Sequence, residues 1–133
     1  MDETQAGLVA LVAIGGAIGS VARYGVSGLL SRSDFPWGTF AVNLTGTFLL
    51  SFLYFLSLER GFQTTDLRTF LFVGVFGGYT TFSTFGLETV LLFRGGEVPM
   101  AALNILFNGG LCVLGAFLGA ALGILLGGRV PWS

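Results

Sequence analysis

The chain has 133 residues, 53% hydrophobic and only 10% charged, with a mean hydropathy of +0.86, whereas a soluble domain carries about 25% charged residues. It has no His and no Lys, and Cys112 is its single cysteine, which excludes histidine bases, phosphate-binding lysines, Schiff bases, zinc clusters and disulfide frameworks. Its net charge is −1 and its arginines are scattered, so there is no basic stripe for nucleic acid and no polybasic patch for anionic lipid.

Four charge-poor runs follow one another: Gly7 to Ser31, interrupted only by Arg23; Phe35 to Leu58; Thr69 to Leu87; and Val98 to Gly128. A helix needs about 20 apolar residues to cross a bilayer. The pattern predicts an all-α, multi-pass protein of the cell membrane, a single domain over 1–133 with helices at about 6–31, 36–58, 67–94 and 98–127. The links are short and polar, and Asp2 and Glu3 place acid where a targeting peptide carries basic residues, so the first run reads as a retained helix.

In the first helix Gly15 and Gly19 stand four apart, and in the fourth Gly115, Gly119, Gly123 and Gly127 repeat that spacing. Such stripes let helix backbones approach closely, which is how helices associate in lipid. Arg23 lies late enough in its helix to snorkel to the surface, or else to attract anions at a vestibule. The second helix aligns Thr39, Asn43, Thr47 and Ser51 on one face, and the fourth aligns Asn104, Asn108 and Cys112. The two stripes suggest a shared polar path; the plainer alternative is hydroxyls bonded to their own helix and asparagines holding helices together.

The third helix contains Gly77-Gly78-Tyr79-Thr80-Thr81-Phe82-Ser83-Thr84-Phe85-Gly86. Paired glycines weaken a helix, and Thr80 or Thr81 can cap a second half-helix, so a break is expected within this segment, just before Phe82. A break bares backbone carbonyls and N–H groups at the membrane midplane, which lipid does not tolerate unless protein or an ion satisfies them. Phe82 and Phe85 would then leave the second half-helix on nearly one face, with ring edges whose partial positive charge suits an anion. Glu88, one turn on, is either a structural acceptor or the lining of a wet cavity.

Orientation follows from the arginines. One side carries Arg60, Arg68 and Arg129, and the other carries Arg23, Arg32 and Arg94. With no excess on either side, the chain is expected to insert both ways up. Four helices enclose little volume, so an antiparallel, dual-topology homodimer is expected.

Three segments now carry a resemblance: Gly15-Gly16-Ala17-Ile18-Gly19-Ser20-Val21-Ala22-Arg23-Tyr24; Trp37-Gly38-Thr39-Phe40-Ala41-Val42-Asn43 with Gly46; and Gly77 through Phe85. Together they resemble the Fluc, or CrcB, family of fluoride channels over essentially the whole chain. The resemblance implies passive export of cytoplasmic fluoride by a non-enzymatic channel with two pores per antiparallel dimer. It implies a structural sodium ion held by the backbone carbonyls of Gly77 and Thr80. It also implies fluoride contacts at Asn43, Phe82 and Phe85, with Thr81, Ser83 and Thr84 as candidates for a polar track; Arg23 at the mouth and Asn108 on the fourth helix complete the expected path. Where the family often places Tyr, Ser or Thr on the fourth helix, this chain has Asn104, Asn108 and Cys112. A proton-coupled multidrug transporter would need a membrane carboxylate, and the first helix offers none within its span. A non-transporting assembly subunit would have no use for a broken third helix.

Overall fold

The computed structural model describes residues 2–30 and 34–128. Arg32 and Arg129, two of the six arginines in the charge count, and the expected helix end at Ser31 lie outside the described residues. Four helical spans are long and apolar enough to cross a membrane: Glu3–Leu30, Trp37–Glu59, Thr65–Arg94 and Val98–Gly127. The first is α1 and the second α2. The third comprises α3 (Thr65–Leu67), a π-helical stretch (Arg68–Phe76), α4 (Gly77–Tyr79) and α5 (Phe82–Arg94). The fourth comprises α6 (Val98–Ile105), a second π-helical stretch (Leu106–Leu111) and α7 (Cys112–Gly127).

Two glycine seams assemble these helices in pairs. Gly15 and Gly19 of α1 face the backbone of the third span, where a Cβ at Gly15 would lie 3.0 Å from Gly74 Cα and one at Gly19 would lie 2.8 Å from Tyr79 N. In α7, a Cβ at Gly119 would collide with the Phe48 carbonyl, and one at Gly123 would lie 3.0 Å from Leu56 N. Van der Waals contact between backbones replaces the hydrophobic drive that lipid removes. The surface left outside is apolar, with Ile18, Val73, Leu118 and Leu125 all exposed.

The ends are closed by local chemistry. Beyond α2, Phe62 N donates to Ser57 O (3.2 Å) and Gly61 N to Leu58 O (3.2 Å); beyond α5, Glu97 N donates to Leu92 O (2.9 Å) and Gly96 N to Phe93 O (3.1 Å). Both are Schellman ends, and Gly61 and Gly96 supply the positive φ that they require. Arg60 Nη2 donates to Leu126 O (2.8 Å), which ties the end of α2 to the end of α7. At the start of α2, Phe35, Trp37, Phe40 and Phe107 form an aromatic cluster with centroid separations of 4.7 to 6.2 Å.

Within the Gly77–Gly86 segment, the extended backbone falls after the paired glycines. Gly77 is helical (φ −63°, ψ −36°) and begins α4. The extended residues are Thr80 (φ −80°, ψ 159°) and Thr81 (φ −150°, ψ 113°). Gly78 serves close approach instead, since a Cβ there would come within 2.6 Å of Gly16 O. Weak helix propensity alone does not end the helix at Gly77-Gly78; competing hydrogen bonds at Thr81 do.

Candidate functional site

Thr80 and Thr81 are extended because a side chain from another helix claims the Thr81 backbone. Thr81 N donates to Asn43 Oδ1 (2.8 Å), and Asn43 Nδ2 donates to Thr81 O (3.0 Å). In a continuous helix, Thr81 N would have bonded to Gly77 O. Thr84 N, which would have bonded to Thr80 O, instead donates to Thr81 Oγ1 (3.3 Å), the side-chain cap of α5. The carbonyls of Gly77 and Thr80 thereby lose their helical donors. Thr80 N and Thr80 Oγ1 both donate to Phe76 O (3.0 Å each), which closes α4. Gly46 leaves room for this turn, because a Cβ at that position would overlap the Thr80 methyl.

The sequence-predicted residues come together in part. Asn43, Thr81, Phe82, Phe85, Asn108 and Cys112 line a cavity of about 210 Å³. Thr84 and Ser83 join it through Thr81 Oγ1, which donates to Thr84 Oγ1 (2.9 Å) and lies 3.4 Å from Ser83 Oγ. The proton of Thr84's own hydroxyl is left to donate elsewhere. Phe82 and Phe85 pack edge to face, with centroids 5.4 Å apart, and Phe82 is 83% exposed on the outside of the chain. A second cavity, of about 350 Å³, shares Thr47, Asn108 and Cys112 with the first and extends to Ser51 and Phe55. Arg23 lines neither cavity; it is half-buried on α1.

Both stripes are hydrogen-bonded across helices. Thr39 Oγ1 donates to Glu88 Oε1 (2.7 Å). Glu88 Oε2 is buried without a partner among the described residues, and Glu88 also lines a cavity of about 540 Å³ with Asp34 and Glu97. Glu88 is thus a hydrogen-bond acceptor that also lines a cavity. Thr47 Oγ1 donates to Asn43 O (2.8 Å) on its own helix and to Cys112 O (3.1 Å) on the fourth span. Asn43 Nδ2 also donates to Asn108 Oδ1 (2.8 Å), so both of its hydrogens are engaged. Thr89 is a site neighbour that the sequence reading missed: its hydroxyl accepts from Asn104 Nδ2 (2.9 Å) and donates to Phe85 O (2.8 Å). Its place one turn beyond Phe85 was the available signal.

Comparison with known proteins places this arrangement. The family described as CrcB-like protein, Camphor Resistance (CrcB), matches residues 10–120, which include the first glycine seam, Gly115 and Gly119 of the second, the extended threonines and all three asparagines. The chain belongs to the CrcB family. It is 49% identical over 123 residues to the fluoride-specific ion channel FluC of Thermus thermophilus, covering 90% of this chain and 94% of that protein. The FluC of Magnetococcus marinus is 46% identical, with 89% of this chain and 98% of the relative covered. That of Parabacteroides distasonis is 47% identical, with 86% and 91% covered. CrcB membership and four membrane-length helices make this chain a multi-pass membrane protein of an ion-channel family, not an enzyme.

Proposed function

We propose that this protein is a fluoride-selective channel that lets cytoplasmic fluoride leave passively, down its electrochemical gradient. The observation that carries the reading is the Asn43 clamp on Thr81, which sets the N-terminus of α5, Phe82 and Phe85 beside one cavity that Asn43, Thr81 and Asn108 also line. A small anion holds its water tightly, so a path must replace that water with several weak donors and avoid a strong cation that would trap the ion. The Thr84 hydroxyl proton, the first N–H groups of α5 and the edges of Phe82 and Phe85 are donors of this kind. Asn43 acts first as a clamp, since its amide hydrogens are engaged, and exchanges those partners for an ion only in passing. Arg23, on α1 and away from the cavity, raises the local anion concentration at a mouth.

The working unit in this reading is an antiparallel homodimer with two pores, formed by copies inserted in opposite orientations. The balanced arginines and the exposed Phe82 support it. A structural sodium ion fits between the two copies. The Gly77 and Thr80 carbonyls are neutral oxygens freed from helical bonding by Asn43 and Thr81, and a carbonyl cage without carboxylate suits a monovalent cation. A bound sodium ion would supply positive potential and would join the two copies.

The test is fluoride efflux from liposomes containing the purified protein, with chloride as the control. Fast fluoride efflux without a proton gradient, lowered strongly by Phe82→Ile, is expected. Equal chloride efflux, or fluoride movement only under a pH gradient, would count against the channel.

A further inference from the structure

The fourth span carries asparagines at 104 and 108, and they do more than face the second helix. Asn104 Nδ2 donates to Thr89 Oγ1 (2.9 Å) and, at 3.5 Å, to Phe85 O. Asn108 Nδ2 donates to Asn104 Oδ1 (2.9 Å) and Asn104 O (3.2 Å). Asn43 Nδ2 donates to Asn108 Oδ1 (2.8 Å) and Thr81 O (3.0 Å). Three amides from two helices thus form one chain, beginning at the Thr81 backbone and ending at the Phe85 carbonyl. These are the two ends of the first turn of α5, the turn that carries Phe82 and Phe85.

The chain has a fixed direction. If Asn43 were flipped, its NH2 would meet the Thr81 N–H and its oxygen the Thr81 carbonyl, two repulsive contacts in place of two bonds. Flipping Asn108 or Asn104 alone would set donor against donor at the next link. Asn104 is fully buried, with no exposed surface, so water does not compensate a broken link there. It also does not line the cavity.

We infer that Asn104 is a positioning residue for the anion path, holding Asn108, and through it the Asn43 clamp, in one orientation while it fixes the far end of the phenylalanine-bearing turn. The consequence for transport rests on the fluoride reading; the orientation of Asn43 does not. Two substitutions separate this role from packing: Asn104→Ala leaves space, whereas Asn104→Leu fills it without an amide. Each is read by fluoride efflux from liposomes and by the ¹⁵N resonance of the Asn43 side-chain amide in detergent, alongside the unsubstituted protein with a chloride control.

Both variants are expected to lower fluoride efflux roughly tenfold, the scale of one unmet buried hydrogen bond, and both should move the Asn43 amide resonance, because Asn104 is linked to Asn43 through Asn108. Recovery of efflux by Leu but not Ala would make the role one of packing and overturn the inference. An unmoved Asn43 resonance overturns it too, whatever the efflux. If neither variant gives folded protein, Thr89→Val cuts the far end of the chain at almost unchanged volume, and the Asn43 resonance must move there. If the unsubstituted protein moves chloride as readily as fluoride, the transport reading fails, and the Asn43 resonance still decides the positioning role.

Discussion

The α2–α7 seam and the Thr80–Thr81 turn are built on the same four-residue spacing and use it in opposite ways. In the seam, Gly119 and Gly123 remove side chains so that one backbone lies against another whose own hydrogen bonds stay intact, while Gly115 and Gly127 make room for the side chains of Leu44 and Glu59. At the turn, Asn43 and Thr47 project side chains that replace or supplement backbone hydrogen bonds elsewhere in the fold, and Thr39 bonds to the Glu88 carboxylate. The first use holds two helices together; the second interrupts a helix beside a cavity. A helix bundle in lipid has little else to work with, because burial of apolar surface does not drive association there.

The largest effect should come from breaking the seam. Gly119→Val places its branched carbon into the Phe48 carbonyl, within 3.1 Å of Phe52 N. Backbone cannot rotate away as a side chain can, so the cost should reach about 3 kcal/mol, the upper end for overpacking. Thermal unfolding and size-exclusion profiles in detergent should show loss of folded protein. Gly109→Ala, whose Cβ meets nothing within 4 Å, is the control and should lose no folded protein. Equal behaviour of the two variants would mean that the seam is not where the pair is held.

Breaking the turn should cost function more than fold. Asn43→Ala leaves the Thr81 N–H and carbonyl unmet in a buried setting, at roughly 1–3 kcal/mol for each group. Part of that cost is recovered if Thr81 N returns to Gly77 O and the helix runs on, which would erase the interruption. Fluoride efflux is expected to fall roughly a hundredfold, equivalent to about 2.7 kcal/mol on a rate, while the melting temperature falls less than for Gly119→Val. A variant that melts early yet conducts normally would reverse the assignment of roles to the two regions.

The sequence made the two regions unequally legible. Four membrane-length helices and their glycine stripes follow from composition and spacing, because apolar length and small-residue period are local properties. The paired glycines are legible only in part, since weak propensity is a local property of both, while the contact of Gly78 with Gly16 is nonlocal and only the fold reveals it. Asn43 stood out as a polar residue within a span, yet its partner lies 38 residues away. Thr89 drew no notice because a single threonine in a helix ordinarily bonds to its own preceding turn, and Thr89 does so while also accepting from Asn104.

The smallest expected effect tests the comparison most finely, because it separates two adjacent glycines. A Cβ on Gly78 would meet Gly16 O at 2.6 Å and Gly16 Cα at 3.0 Å, whereas a Cβ on Gly77 meets nothing within 4 Å. Within one copy of the chain, Gly78→Ala should therefore be destabilising, and Gly77→Ala should gain the roughly 0.8–1.0 kcal/mol by which Ala exceeds Gly in a helix. The Gly77 carbonyl is retained in either case, so loss of a backbone ligand does not enter. In an antiparallel dimer joined near this turn, however, the open space beside Gly77 would be occupied by a second copy, and Gly77→Ala would carry a penalty of its own. Melting curves at several protein-to-detergent ratios distinguish the cases. A stabilised Gly77→Ala that is insensitive to dilution would place any second copy away from Gly77, while a destabilised one that becomes benign on dilution would place the joint against α4.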